Sequence, residues 1–174
     1  DERIDHVHMT GGKATHDMIV WGDLVKREKK ILKVPITSEL GAVTPCIVGP
    51  GDASAWSKAE IDHHAKYFAT CLMSNNGCNC MGFQFLFLPS RGFPAEDFLE
   101  AVREVMEARP HSAPYYPGTR ERYKRWVDHF GLDTEFVESS IKLPPGKSGN
   151  PLPWALSRVL YDDLIAGKHH VACQ

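Results

Sequence analysis

Two cysteines separated by a single residue, Cys78 and Cys80, lie in the segment NNGCNC at residues 75–80. Zinc accepts thiolate and imidazole ligands, and His63 and His64 lie nearby in the sequence. The spacing of the two cysteines is shorter than in the usual zinc knuckle, and adjacent histidines on a helix point to different sides. We therefore expect no metal site, with a small zinc-binding module as the alternative.

The same two cysteines suggest two other kinds of chemistry. A disulfide between Cys78 and Cys80 would close a very tight ring, against the preferred geometry. A cysteine at a turn beyond a helix can instead populate the thiolate and act as a nucleophile. It would need a base or a water activator, for which Glu39 is the leading candidate. From residue types alone, the plainer interpretation is favoured: Glu39 as an exposed turn carboxylate and Cys80 as a small core residue.

Composition excludes several classes of protein. The 174 residues are 43% hydrophobic and 24% charged, as in a globular domain, and the net charge of −2 argues against nucleic-acid binding. No apolar run is long enough for a membrane span. The five cysteines are odd in number and irregularly spaced, so we expect reduced thiols and an intracellular, cytoplasmic setting. The start without Met, in a strand-like segment, predicts a processed or truncated piece.

The helices and strands that position these residues are predicted from the spacing of apolar residues along the chain. Residues 5–10 alternate as in a half-buried strand, and a glycine turn and a helix follow. We expect that helix to bury Ala14, Met18 and Trp21 and to end at Gly22.

Further along the chain, Ser57 and Glu60 have the spacing of a capping box, and Asn75, Asn76 and Gly77 tolerate left-handed backbone. The remaining predicted elements are a helical face of Ile61, Ala65, Phe68 and Leu72, a buried strand over 82–90, a helix opened by Pro94 with a stripe of Phe98, Val102 and Met106, and a helix capped by Thr119 and ended by Gly131. Strands that alternate with helices predict an α/β fold with a largely parallel sheet, whose sites collect at the carboxyl ends of strands.

Three segments together resemble motifs of the aldehyde dehydrogenase superfamily. SELGAVTPCIV is similar to its E-L-G-G segment followed by K-S-P-x-I-V, and NNGCNC is similar to its N-x-G-Q-x-C. Upstream, HVHMTGGKATHDMIVWG resembles the F-T-G-S strand, turn and helix of the cofactor domain. The segments occur in the family's order, and the resemblance is closest from about His6 to Phe98.

The resemblance implies an oxidoreductase that oxidises a small-molecule aldehyde to a carboxylate or acyl product with NAD or NADP. Residues 1–38 would be the C-terminal remnant of the nucleotide-binding domain, and residues 39–174 part of the catalytic domain. The complete enzyme would be a homo-oligomer, and this incomplete chain would have little or no activity alone. The alternative is a non-catalytic remnant or interaction fragment of the same fold.

The resemblance also implies roles for individual residues. Cys80 would attack the aldehyde to form a thiohemiacetal and then a thioester, with its backbone N–H as part of an oxyanion hole. Glu39 would activate the water that hydrolyses the thioester. The resemblance also implies which residues bind the cofactor. Thr10, Gly11 and Gly12 would lie beside its phosphate, and Leu40 and Gly41 would lie beside the nicotinamide.

This sequence departs from the family's pattern in several places. Ala42 replaces the second Gly after Glu-Leu, Cys78 replaces the Gln, and Gly12 replaces the Ser after Thr-Gly. The family's upstream Asn and Lys and its downstream E-x-P-F segment have no counterpart in this chain. The resemblance therefore implies that this chain contains only part of the oxyanion hole and part of the cofactor site.

Overall fold

The computed structural model describes residues 3–23, 25, 27–49, 56–144 and 150–169. The chain divides into two compact units, Asp1–Ala42 and Val43–Gln174. The assignment of residues 1–38 and 39–174 to two domains of a longer enzyme stays a prediction.

The first unit is a strand–helix–strand arrangement. Its elements in chain order are β1 (Val7–Gly11), α1 (Lys13–Trp21) and β2 (Ile36–Leu40). The two strands pair in parallel, with Thr10 opposite Glu39 and Gly11 opposite Leu40. The helix ends at Gly22, whose φ of 70° is left-handed and therefore favours glycine, as predicted.

The buried face of α1 differs from the predicted one. Met18 is 47% exposed and Ala14 is exposed, whereas Val20 and the carboxylate-bearing Asp17 are buried. The prediction followed the large apolar side chains, including the half-buried Trp21. It was wrong because neighbouring cations satisfy the buried carboxylate, so a polar residue can occupy the inner face.

The second unit contains the remaining elements. They are β3 (Thr44–Ile47), α2 (Lys58–Met73), β4 (Phe83–Phe87), α3 (Ala95–Glu107), α4 (Thr119–Phe130), β5 (Thr134–Val137), β6 (Trp154–Ser157) and α5 (Tyr161–Ile165), with 3₁₀ turns at Ser74–Gly77 and Gly131–Asp133. Strands β3 and β4 pair in parallel across the α2 crossover. Strands β5 and β6 form an antiparallel pair that was not predicted. The α/β class is confirmed, with short parallel pairs and flanking helices.

Helix α2 begins at the predicted capping box. The Ser57 backbone N–H donates to Glu60 Oε2 at 2.7 Å, and the Glu60 N–H donates to Ser57 Oγ at 3.4 Å. These contacts satisfy amide groups that the first helical turn leaves without intrahelical acceptors. The predicted apolar face is buried at Ile61, Ala65 and Phe68.

The core of the second unit is the packing of α2 against α3. On α3, Phe98 and Val102 are each 1% exposed and Met106 is fully buried, which confirms the predicted stripe. Burying each such side chain contributes roughly 1.5–3 kcal/mol, so this face holds the unit together. Val137 of β5 joins the same cluster.

Helix α4 begins one residue away from the predicted cap. Gly118, with φ 78°, occupies the cap position, and Thr119 is the first helical residue. The Thr119 hydroxyl donates to the Tyr116 carbonyl at 2.8 Å, so it supports the preceding turn and does not cap the helix. The predicted end at Gly131 is confirmed, with φ 52°.

Candidate functional site

Cys80 lies at the corner of a tight turn, and its side chain is exposed. The turn is closed by the Gly82 N–H, which donates to the Asn79 carbonyl at 2.8 Å. A Cβ at Gly82 would lie 3.0 Å from that oxygen and 3.5 Å from the Cys71 carbonyl oxygen, so a side chain there would crowd the turn. The turn precedes β4 and therefore lies at the amino end of that strand. The sequence had instead predicted sites at the carboxyl ends of strands.

Three further hydrogen bonds fix the surroundings of Cys80. The Thr44 hydroxyl donates to the Cys80 carbonyl at 2.7 Å, and the Thr44 N–H donates to Gln84 Oε1 at 2.6 Å. Asn79 Oδ1 accepts the Met81 N–H at 3.0 Å. None of the hydrogen bonds found among the described residues uses the Cys80 N–H. That group can therefore donate to negative charge that develops on an oxygen beside the thiol.

Cys78 has a different environment from Cys80. Its half-buried thiol donates to the Asn76 carbonyl at 3.8 Å, and its backbone exchanges hydrogen bonds with Asn75. Both cysteines are free thiols. Of the two residues, Cys80 is exposed and Cys78 is half-buried.

The backbone that leads to these cysteines is left-handed over three residues. Asn75, Asn76 and Gly77 have φ of 55°, 55° and 71°, which confirms the predicted tolerance. The loop after α3 holds this segment: the Tyr115 hydroxyl donates to Asn75 Oδ1, and Asn76 Nδ2 donates to the Ala113 carbonyl at 3.0 Å. Sequence reasoning missed this loop, because no local pattern links residues so far apart.

Within the first unit, the structure brings four predicted site residues together. Thr10 and Gly11 end β1, and Glu39 and Leu40 lie opposite them at the end of β2. Gly41 follows directly, with a left-handed φ of 55°. The Glu39 carboxylate is exposed, so it can meet water or a bound molecule at the carboxyl edge of this strand pair.

Gly12 occupies the cap position of α1 and leaves the helix N-terminus uncovered. No side chain caps the first turn, and a Cβ added at Gly12 would have no atom within 4 Å. Uncapped N–H groups at a helix N-terminus attract phosphate through hydrogen bonds and the helix dipole. The turn between β1 and α1 can therefore accommodate a phosphate group beside the backbone.

The first unit also contains a charged cluster that sequence reasoning missed. Asp17, whose side chain is 5% exposed, accepts hydrogen bonds from Arg27 at 2.6 Å, Lys13 at 3.2 Å and His16 Nδ1 at 3.1 Å. The hydrogen bond from His16, supported by Lys13 and Arg27, lowers the pKa of Asp17 and outweighs the opposing effect of burial. The cluster anchors α1 to the segment that follows it.

Glu39 and Cys80, the predicted base and nucleophile, belong to different units.

Among residues 3–23, 25, 27–49, 56–144 and 150–169, no three His, Cys, Asp or Glu side chains are grouped so that they could hold a metal ion. In the same part of the chain, no helix has both the length and the apolar character needed to cross a membrane.

Comparison with known proteins gives a likeness of fold. No family model matches the chain, and no curated protein matches its sequence. Among solved structures, the chain is similar to a proposed aldehyde dehydrogenase from Burkholderia cenocepacia, with a TM-score of 0.65 and 18% identity. The match covers 97% of this chain and 34% of that protein, so the chain spans about a third of its length. The chain thus has the α/β fold of part of an aldehyde dehydrogenase-like protein.

Proposed function

We propose that this chain contains the nucleophile of an aldehyde dehydrogenase-type site, with Cys80 as the catalytic thiol. The observation that carries the proposal is the exposed Cys80 side chain, set on a tight turn whose backbone is anchored while its own N–H is unused. The fold likeness to a proposed aldehyde dehydrogenase supports the same function. The protein would oxidise an aldehyde to a carboxylate or another acyl product.

The proposed reaction begins at the Cys80 sulfur. Its thiolate attacks the carbonyl carbon of the aldehyde, and the Cys80 N–H donates to the oxyanion of the resulting thiohemiacetal. NAD or NADP, when bound, supplies the hydride acceptor that allows this adduct to become a thioester. Glu39 then removes a proton from the water that attacks the thioester, and the Cys80 thiolate leaves.

The proposed cofactor contacts lie in the first unit. The uncapped N-terminus of α1, with Gly11 and Gly12 before it, would receive a phosphate, and Thr10 would lie beside it. Leu40 and Gly41 would line the nicotinamide. The small residues at this turn let a ligand approach the backbone closely.

The proposal extends to partners and setting. The substrate would be a small-molecule aldehyde, and the enzyme would work as a homo-oligomer in the cytoplasm. The substrate and the homo-oligomer rest on the resemblance of the motifs to the aldehyde dehydrogenase superfamily. The cytoplasmic setting rests on the odd number and irregular spacing of the five cysteines.

Acylation of Cys80 by p-nitrophenyl acetate tests the proposed nucleophile. The Cys80 thiolate attacks the acetyl carbon and expels p-nitrophenolate, which leaves an S-acetyl thioester that water can hydrolyse. We expect release of p-nitrophenolate and acetylation of the Cys80 peptide in the mass spectrum. Cys80→Ala should abolish both, whereas the control Cys78→Ala should retain them. Acetylation that persists in Cys80→Ala and is lost in Cys78→Ala would overturn the assignment.

The same assay tests the proposed base. Glu39→Gln should leave formation of the thioester intact and slow its hydrolysis by about 10²-fold or more, so that acetylated protein accumulates. Glu28→Gln, an exposed carboxylate of the same unit, is the matched control and should hydrolyse the thioester at the wild-type rate. Equal rates in the two variants would remove Glu39 from the mechanism.

A further inference from the structure

We propose that Asn79 is a positioning residue whose side-chain amide oxygen sets the orientation of the Cys80 thiol. Asn79 directly precedes the cysteine, at a position that N-x-G-Q-x-C leaves open, so the resemblance assigns it no role. The importance of this contact for turnover rests on the proposed function of Cys80.

Asn79 is itself held firmly. Its carbonyl accepts the Gly82 N–H at 2.8 Å, and its side-chain Oδ1 accepts the Met81 N–H at 3.0 Å. A side-chain oxygen bound to the amide two residues ahead is an Asx turn, which fixes the amide group relative to the backbone. The Cys80 thiol donates to the same Oδ1, at an Sγ to Oδ1 distance of 3.7 Å.

An amide oxygen can accept a hydrogen bond from a thiol but not from a thiolate. Asn79 therefore holds the protonated Cys80 in the χ1 well that points at Oδ1. After loss of the proton, the lone pairs of Oδ1 repel the sulfur, which favours the other staggered wells around the exposed Cys80 Cα–Cβ bond. Asn79 thus separates a resting orientation of the thiol from a reactive orientation of the thiolate.

The S–H stretching band of Cys80 tests the hydrogen bond directly. The band is identified in the infrared spectrum of the full chain by difference against Cys80→Ala. We expect Asn79→Ala to raise its frequency, because a free S–H bond is stiffer than one that donates to oxygen. Asn79→Asp keeps an oxygen in the same place, so the low-frequency band should return. If Asn79 only stabilised the turn, the band would have the same frequency in the wild type, Asn79→Ala and Asn79→Asp. That result would overturn the proposal.

The rate of Cys80 alkylation by iodoacetamide provides a second readout. Asn79→Asp adds a negative charge where Oδ1 lies 3.7 Å from Sγ, and this charge opposes the thiolate. With the dielectric constant of bulk water, Coulomb's law gives about three- to sixfold slower alkylation at neutral pH, the larger effect at the 3.7 Å separation and the smaller one after the thiolate turns away from Oδ1. The matched control is Gln84→Glu, because the oxygen of Gln84 bonds the Thr44 N–H and not the thiol.

The result that supports the proposal is a slower reaction in Asn79→Asp than in Gln84→Glu. Equal rates in the two variants would overturn it, with circular dichroism confirming that both are folded. Alkylation requires no aldehyde, ester or cofactor. The two assays can therefore fail separately. If Cys80 is not acylated but Asn79→Asp is alkylated slowly, the proposed function is refuted and the positioning role stands. The reverse pattern would refute only the positioning role.

Discussion

The hydroxyl of Thr44 donates a 2.7 Å hydrogen bond to the carbonyl oxygen of Cys80, 36 residues further along the chain. Thr44 lies in SELGAVTPCIV, and Cys80 lies in NNGCNC. Two segments that separately resemble aldehyde dehydrogenase motifs are therefore joined by a direct contact in the second unit. The first strand of that unit holds the peptide group of the proposed nucleophile in place.

Loss of this contact should affect both stability and reactivity. Thr44→Val keeps the shape of the side chain but leaves the Cys80 carbonyl without its donor, which should lower the free energy of unfolding by about 1 kcal/mol. Cys80 should also be acylated more slowly by p-nitrophenyl acetate, because its N–H is less well fixed. Urea denaturation and the acylation rate measure the two effects. Thr44→Ser, which keeps the hydroxyl, should resemble the wild type, and identical results for the two variants would contradict the role of this hydrogen bond.

The left-handed backbone before Cys78 gives a second prediction. Asn76→Ala and Asn76→Gly both remove the side-chain hydrogen bond to the Ala113 carbonyl, so their difference isolates the backbone. At φ 55°, alanine should be less stable than glycine by about 1–2 kcal/mol, because its Cβ approaches the carbonyl oxygen. Chemical denaturation of the two variants measures this difference. Equal stability would mean that the segment relaxes to an ordinary conformation.

The charged cluster on α1 predicts a dependence of stability on pH. Hydrogen bonds from His16 and Lys13 and the charge of Arg27 lower the pKa of Asp17 below its ordinary value of 3.8. Above that value the stabilisation is fully present. It is lost as the pH falls below 3.8 toward the folded-state pKa, because only the unfolded carboxylate readily takes up a proton.

Replacement of Asp17 tests this linkage. Asp17→Asn should lower the denaturation midpoint at neutral pH and flatten the loss of stability in acid. The exposed Asp5 provides the control, since Asp5→Asn should follow the pH profile of the wild type. An Asp17→Asn profile parallel to that of the wild type between neutral pH and acid would show that the cluster does not carry the pH dependence.

The sequence predicted features that depend on neighbouring residues. The capping box of Ser57 and Glu60 and the left-handed run that ends at Gly77 are set by residue types within a few positions. The stripe centred on Val102 follows from helical spacing alone. Each was confirmed because backbone preference and burial favour the same local structure.

The features that were missed depend on residues far apart in the sequence. The contact of Tyr115 with Asn75 and the hydrogen bond of Thr44 to Cys80 both join residues on separate elements. The burial of Asp17 likewise depends on a cation ten residues away, Arg27. Hydrophobic periodicity contains no information about such partners. The hydrogen bond that anchors the Cys80 backbone could therefore be found only in the folded structure.

The Thr44–Cys80 hydrogen bond has a consequence for the order of folding. It closes a loop that contains the whole of α2, and the entropy of closing a long loop must be overcome before such a contact forms. Local contacts of α2 can form first, and topology delays the parallel pairing of β3 with β4. Early in refolding, the thiol would therefore sit on an unanchored turn beside a completed helix. Pulsed hydrogen exchange during refolding would then show protection of the α2 amides before protection of the paired strands β3 and β4.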